Sequence, residues 1–332
     1  VIRDVLEPII SMERIIGGIG IYEIKGNDSH IADILKKLLI ASEKAMLGNL
    51  SRSLGISSYD EEIEKKIMRE DNIRRELYNI IENQPGSKLV LEFQPILDLK
   101  TNKISSFEAL ARIDSDKLGR IPPLEFIPIA EKTKLIIPIG ERIFRYSLEF
   151  LKNINNNLGY REIKVSINIS AIQLMEKDFV KNTLKIIEEM KVAHKNIILE
   201  ITESTFATNY EEINIIIDKL RSFGLLIAID DFGVGYSSLA RVSELNVDYI
   251  KIDKFFINKL LEVGPESSRI SDIISMSHKL GQKVIAEGVE YDSQKEYLIE
   301  CGCNNMQGFL ISKPSGKEEA INLLIKYNKT IL

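Results

Sequence analysis

The chain has 332 residues, with 44 Lys and Arg against 49 Asp and Glu for a net charge of −5. A mildly acidic chain of this size offers no general basic field to polymeric nucleic acid, and it is long enough for one large domain and a smaller one. With 44% hydrophobic and 28% charged residues it is neither disordered nor fibrous.

In chain order, the first 85 residues are highly charged and end in a helical pattern over 60–82, with Ile63, Ile67, Leu77 and Ile81 at helical spacing. It reads as a linker helix or as a plain surface helix. Asn83-Gln84-Pro85-Gly86 stops it, because proline cannot continue the hydrogen-bond ladder and glycine suits a turn; this sets a domain boundary. From residue 88 onward, short β-branched runs alternate with amphipathic segments, which is α/β punctuation. Strands are predicted at 89–97, 104–113, 163–169, 197–201, 225–229, 249–252, 283–286 and around 308–311. Helices are predicted at 124–131, 139–153, 178–190, 211–223, 268–280 and 292–300. Eight strands in this length match a (β/α)8 TIM-like barrel of about 250 residues. Residues 98–103 are too short for a parallel crossover and suit a hairpin, so the barrel is expected to be irregular, with an antiparallel first strand.

No apolar run reaches the ~18 residues of a membrane span; even 129–150 is broken by Glu131, Lys132, Lys134, Glu141, Arg142 and Arg145. Cys301 and Cys303, one residue apart, fit neither a disulfide framework nor a CxxC motif, so a reducing cytoplasm is the expected setting. The chain opens on Val1 without a signal-peptide pattern, which suggests a piece of a longer protein whose upstream part could hold a membrane tether.

The polar residues at or just past the strands are Glu108, Asn168 and Ser170, Glu200 and Glu203, Asp230 and Asp231, Lys251 and Asp253, and Glu287 and Glu290. In a barrel of parallel strands these positions open onto one mouth. Five or more carboxylates there cannot stay ionised without cations, since like charges raise one another's pKa. The donors are oxygens, so Mg²⁺ or Mn²⁺ is expected rather than Zn²⁺; His30, His194 and His278 are scattered and read as surface or packing residues. The Asp230-Asp231 pair could bridge two ions, a common device for in-line phosphoester hydrolysis. Lys251 could orient the attacking water or balance phosphate charge. Arg112 offers a fork suited to phosphate oxygens.

These residues lie in motifs that resemble the EAL-domain family of cyclic di-GMP phosphodiesterases. Glu108-Ala109-Leu110 sits inside FEALARI, accompanied by FQPI at 93–96, SINIS at 166–170, LEITES at 199–204, DDFGVGYSSL at 230–239, KIDKFF at 251–256, AEGVE at 286–290 and QGFLISKP at 307–314. The resemblance covers residues 88–330, and the domain is placed at 87–332. It implies metal ligands at Glu108, Asn168, Glu200, Asp230, Asp231 and Glu287, and a catalytic group of Lys251, Glu108, Glu287, Glu203 and Gln307. In that group Lys251 holds the water, Glu203 anchors the loop after the Asp pair and Gln307 supports the site. Substrate contacts are implied at Arg112, Gln94, Asp253, Glu290, Phe309 and Pro314. The implied reaction converts cyclic di-GMP to linear pGpG with two Mg²⁺ or Mn²⁺ ions, with Ca²⁺ inhibitory, in a homodimer formed through this domain. The competing reading is a receptor that binds cyclic di-GMP without cleaving it; a purely structural platform is a third.

Two departures stand out: Ile113 where the family often carries Trp, and Val234 where it usually carries Thr. Residues 1–59 resemble the C-terminal part of a GGDEF domain, through IIGGIGIY at 15–22 and LLIASEKAML at 38–47, followed by the linker helix at 60–86. The glycine-rich GGDEF loop is absent from this sequence, so no cyclic di-GMP synthesis is expected of it.

Overall fold

The computed structural model describes residues 18–24, 30–47, 55–207, 209–233, 245–263 and 269–329. Val234 and the rest of its loop, and residues 1–17 of the N-terminal match, lie outside the described residues. The chain divides into two compact units, Val1–Glu76 and Leu77–Leu332.

In the first unit β1 (Gly18–Ile21) and β2 (Gly55–Ser58) pair in parallel, with Gly18 opposite Gly55, so α1 (Ile31–Leu47) is the crossover between them. Helix α1 buries Ile40, Ala41 and Ala45. Gly20 permits a close approach: a Cβ there would lie 2.2 Å from the Leu38 carbonyl oxygen. Helix α2 (Glu61–Ile81) follows the periodicity expected of 60–82 and contributes residues to both units.

The second unit is an eight-stranded closed barrel. Its strands are β3 (Ser87–Asp98), β4 (Lys103–Ser115), β6 (Lys164–Asn168), β7 (Ile197–Thr202), β8 (Leu226–Phe232), β9 (Tyr249–Ile252), β10 (Lys283–Ala286) and β11 (Asn305–Gln307). A short β5 (Gly119–Ile121) flanks β4, and β3 closes the ring by pairing with both β11 and β4. β3 is antiparallel to both neighbours, whereas the ladders from β4 through β6 to β11 are parallel. The expected hairpin is present: Asp98 Oδ1 accepts hydrogen bonds from the Thr101 amide (2.8 Å) and hydroxyl (2.9 Å), and Asn102 turns the chain at φ 53°.

Alternation along the strands sends one set of residues into the barrel, where Ile96, Ile198, Ala228, Tyr249 and Ile285 form a buried layer. The other set, including Phe107, Val165, Leu199, Ile227 and Ile250, is buried on the outer side. Helices α3 (Pro123–Lys132), α4 (Ile136–Lys152), α6 (Phe179–Met190), α7 (Tyr210–Ser222), α9 (Ile270–Lys279) and α10 (Asp292–Glu300) follow the predicted segments. The short α5 (Ala171–Leu174), α8 (Lys254–Val263), α11 (Lys317–Asn328) and β5 were not anticipated.

Two expectations need correction. The last strand is Asn305–Gln307, not 308–311. The apolar Phe309-Leu310-Ile311 run belongs to a turn hooked onto Val289, whose carbonyl accepts from the Leu310 amide (3.0 Å), while Phe309 is exposed. Glu108 lies not at a strand end but in the middle of β4. β4 pairs with β6 only through Ser106–Ala109 and then runs on with β3 and β5 as an antiparallel ribbon past the barrel's C-terminal mouth.

Candidate active site

At that mouth inward positions of β4, β7 and β8, and Glu287 just past the end of β10, bring carboxylates around one ammonium from β9. Lys251 is fully buried, and its Nζ lies 2.7 Å from Glu200 Oε2, 2.7 Å from Glu287 Oε1, 3.1 Å from Asp230 Oδ1 and 3.6 Å from Glu108 Oε2. Such a cation is tolerated in the interior only because several anions meet it. Burial opposes its charge, yet Asp230, Glu108, Glu200 and Glu287 together hold the Lys251 pKa well above the ordinary value. The carboxylates carry the complementary cost. Burial first, then Glu108 and Asp230, raise Glu200 well above the usual carboxyl range against the pull of Lys251. Burial, with Asp230 and Glu108 adding to it, pushes Glu287 up to about 8, and burial with Asp230 and Asp253 raises Asp231.

The Asp pair is placed by a break in the strand. The β8–β9 ladder shifts register between Ile229 and Phe232, and Asp231 takes the left-handed φ of 55°. Regular strand geometry would turn consecutive side chains to opposite faces. Here oxygens of Asp230, Asp231 and Glu287 lie within 4.8 Å of one another, as do oxygens of Glu108, Glu200 and Asp230. The two groups share Asp230.

Supporting contacts surround this core. Asn168 Nδ2 donates to Glu108 Oε1 at 2.8 Å. Gln307 Nε2 donates to Glu108 Oε2 (2.6 Å) and to Gln94 Oε1 (2.9 Å), and Gln94 Nε2 donates to the Ser312 carbonyl (3.2 Å). Gln94, expected as a substrate contact, thus also ties Gln307 to β3. Glu203 is buried at the start of the turn after β7, and its Oε2 accepts from the Gly233 amide at 2.8 Å. Asp253 Oδ1 accepts from the Phe255 amide (2.7 Å) at the start of α8 while lying near enough to Asp231 to raise its pKa. Glu290 and Phe309 are exposed and Pro314 is partly buried; no described hydrogen bond or ion pair joins their side chains to the cluster. Arg112 lies on the ribbon, with its Nε 2.9 Å from Glu92 Oε2. Glu92 escaped the sequence reading, although its spacing of two from Gln94 puts both on one face of β3.

A divalent cation fits these residues. Both three-carboxylate groups offer hard oxygen donors, and Glu200 Oε1 is buried without a hydrogen-bond partner. A buried anionic oxygen with no donor is costly unless a cation meets it.

The EAL domain profile matches residues 74–314. The chain belongs to the EAL domain family. It is 30% identical over 305 residues to the bifunctional diguanylate cyclase/cyclic di-GMP phosphodiesterase MucR of Pseudomonas aeruginosa, covering 92% of this chain and 43% of MucR. It is 34% identical over 310 residues to the signaling protein YkoW of Bacillus subtilis, covering 93% of this chain and 37% of YkoW. The chain therefore spans less than half the length of these curated relatives. Among solved structures, the MucR phosphodiesterase in complex with c-di-GMP superposes with a TM-score of 0.70 at 32% identity, covering 75% of this chain and 99% of that one. The EAL enzyme Bd1971, bound to cAMP and cyclic di-GMP, gives a TM-score of 0.73 at 29% identity, covering 90% of this chain and 77% of that one.

Proposed function

We propose that this chain hydrolyses one phosphodiester bond of cyclic di-GMP, giving linear pGpG, with two Mg²⁺ or Mn²⁺ ions. The observation that carries this reading is the pair of three-carboxylate groups sharing Asp230 around the buried Lys251. Glu108, Asn168, Glu200, Asp230, Asp231 and Glu287 would hold the ions, which supply Lewis acidity toward phosphoryl oxygens and water. Lys251, with three donors on one ammonium, aligns the attacking water and offsets charge developing on phosphate. Asn168 and Gln307 orient the two oxygens of Glu108, and Glu203 fixes the start of the loop after the Asp pair. Arg112, Gln94, Asp253, Glu290, Phe309 and Pro314 form the substrate-facing group. Ca²⁺, larger and less strict in geometry than Mg²⁺, occupies the same oxygens and inhibits.

The wider organisation belongs to the same proposal: a GGDEF-like segment over 1–59, a linker helix over 60–86 and the phosphodiesterase domain over 87–332, working as a homodimer in the cytoplasm. No described helix is long and apolar enough to cross a membrane.

The test is chromatographic product analysis of the chain incubated with cyclic di-GMP and Mg²⁺ or Mn²⁺, beside a chelator control. Metal-dependent appearance of pGpG is expected. Nucleotide that stays whole while co-eluting with the protein would replace the enzyme with a receptor.

A further inference from the structure

The ribbon beyond the barrel mouth carries a charged arrangement that the carboxylate cluster does not use. β3 and β4 are in register there, with Gln94 opposite Glu108, Glu92 opposite Leu110 and Val90 opposite Arg112. Alternation puts Glu92 on the face of Gln94, and Arg112 on the face of Glu108, four residues or about 13 Å further along the strand. Glu92 bridges two guanidiniums. Its Oε2 lies 2.9 Å from Arg112 Nε and its Oε1 lies 2.5 Å from Arg120 Nη2. Arg112 Nη1 also donates to the carbonyl of its neighbour Ala111 at 2.9 Å. Arg120, which comes from β5 opposite Asp114, has its Nε 3.8 Å from the Asp114 carboxylate.

The consequence lies in how Arg112 is held. A guanidinium has five N–H groups in a rigid plane. The Ala111 carbonyl takes one Nη1 proton and the Glu92 carboxylate pairs with the Nε side, which holds the plane, and among the described residues no contact takes Nη2, which is left for a ligand. Glu92 has both oxygens engaged by different strands, so it cannot swing away without losing Arg120. Arg112 and Glu92 are 16% and 21% exposed, so the pair is partly shielded from solvent. Partly shielded, charge-assisted contacts of this kind hold geometry better than exposed ion pairs do.

We propose that Glu92 is a positioning residue that presents the free edge of Arg112 to the phosphate or guanine of a cyclic dinucleotide lying across the mouth. The inference rests on the phosphodiesterase reading and on Arg112 as a substrate contact. Glu92 touches no reacting atom in this role, so its effect belongs to binding and runs through Arg112.

The experiment is a double-mutant cycle of Glu92→Gln and Arg112→Ala, with Glu92→Asp as the conservative variant. KM and kcat are measured with Mg²⁺, nucleotide binding is measured separately by calorimetry in Ca²⁺, and thermal melts report folding. Glu92→Gln is expected to raise KM and the dissociation constant about tenfold, the share of one charge-assisted contact, with kcat little changed. Glu92→Asp should recover part of that loss. In the Arg112→Ala background Glu92→Gln should add nothing, because a residue acting through another is silent once the other is gone. Additive losses, unchanged affinity in Glu92→Gln, or a parallel fall in kcat and melting temperature would each overturn the positioning role. If the wild-type chain leaves cyclic di-GMP intact, the phosphodiesterase reading fails, while the calorimetric cycle still decides the coupling of Glu92 to Arg112.

Discussion

Asp230 and Asp231 are consecutive in β8, yet oxygens of both lie within 4.8 Å of a Glu287 oxygen because Asp231 takes a left-handed φ of 55° at a break in the ladder. Asn tolerates that conformation and a β-branched residue does not. Asp231→Asn should therefore fold normally while binding Mn²⁺ more weakly, whereas Asp231→Val should also lose about 1–3 kcal/mol of stability. Urea denaturation beside metal titration separates the two; equal stability of the variants would remove the strain argument.

Glu108 meets Asn168, Gln307 and Lys251 at once. Its replacement by Ala takes an acceptor from two amides and a carboxylate from one of the three-carboxylate groups. Turnover should fall by at least about 100-fold with the barrel still folded, since ligand and supporting contact disappear together. Full residual turnover in Mg²⁺, read by nucleotide chromatography, would exclude Glu108 from the site.

Lys251→Ala removes the cation that sits among four carboxylates. Breaking a buried ion pair on one side costs about 3–5 kcal/mol, so the metal-free variant should be markedly less stable than the parent, and divalent ions should recover part of the loss. Its kcat should drop far more than its affinity for cyclic di-GMP. Equal losses in kcat and affinity would assign Lys251 to substrate binding.

Stability of the metal-free protein should depend on pH in a definite sense. Burial is the main cause that pushes Glu287 up to about 8 from 4.5 and raises Glu200 and Asp231 as well. A carboxyl whose folded pKa exceeds its unfolded one contributes stability that is complete below the unfolded value and is lost as pH rises through the folded one. The melting temperature in chelator should therefore decline between pH 4.5 and about 8, and Mg²⁺ should raise it most at the alkaline end of that window, where protons compete least with the ion. A chelated protein that grows more stable across this range would contradict the assignment.

Much of the barrel and its acidic mouth can be read from the chain because period-2 apolar runs and the polar residues beside them are local signals. The strands at 249–252 and 283–286 fall where expected, and the carboxylates of Glu108, Glu200, Asp230, Asp231 and Glu287 do converge. What escapes the chain is set by pairing. Phe309-Leu310-Ile311 has the composition of a strand, but Gly308 lies so near Val289 that a Cβ there would sit 2.1 Å from its carbonyl oxygen, and the segment turns instead. A strand over 104–113 already encloses Glu108, but how far β4 overruns its neighbour β6, so that Glu108 sits at the mouth while the strand runs on, is set by pairing that no residue of β4 alone records. Glu92 shows its partners only once β3, β4 and β5 are aligned.

The antiparallel closure through β3 also has a consequence for when the site can exist. Glu108 reaches Gln307 across 199 positions and Gln94 reaches it across 213, while Asn305–Gln307 pairs with Ile96–Asp98 to shut the ring. Contacts of such separation form late, because the entropy of closing the loop is lost before they repay it. During synthesis, the Glu108 carboxylate waits for an amide that emerges 199 residues later, so ring closure and completion of the carboxylate cluster are one event.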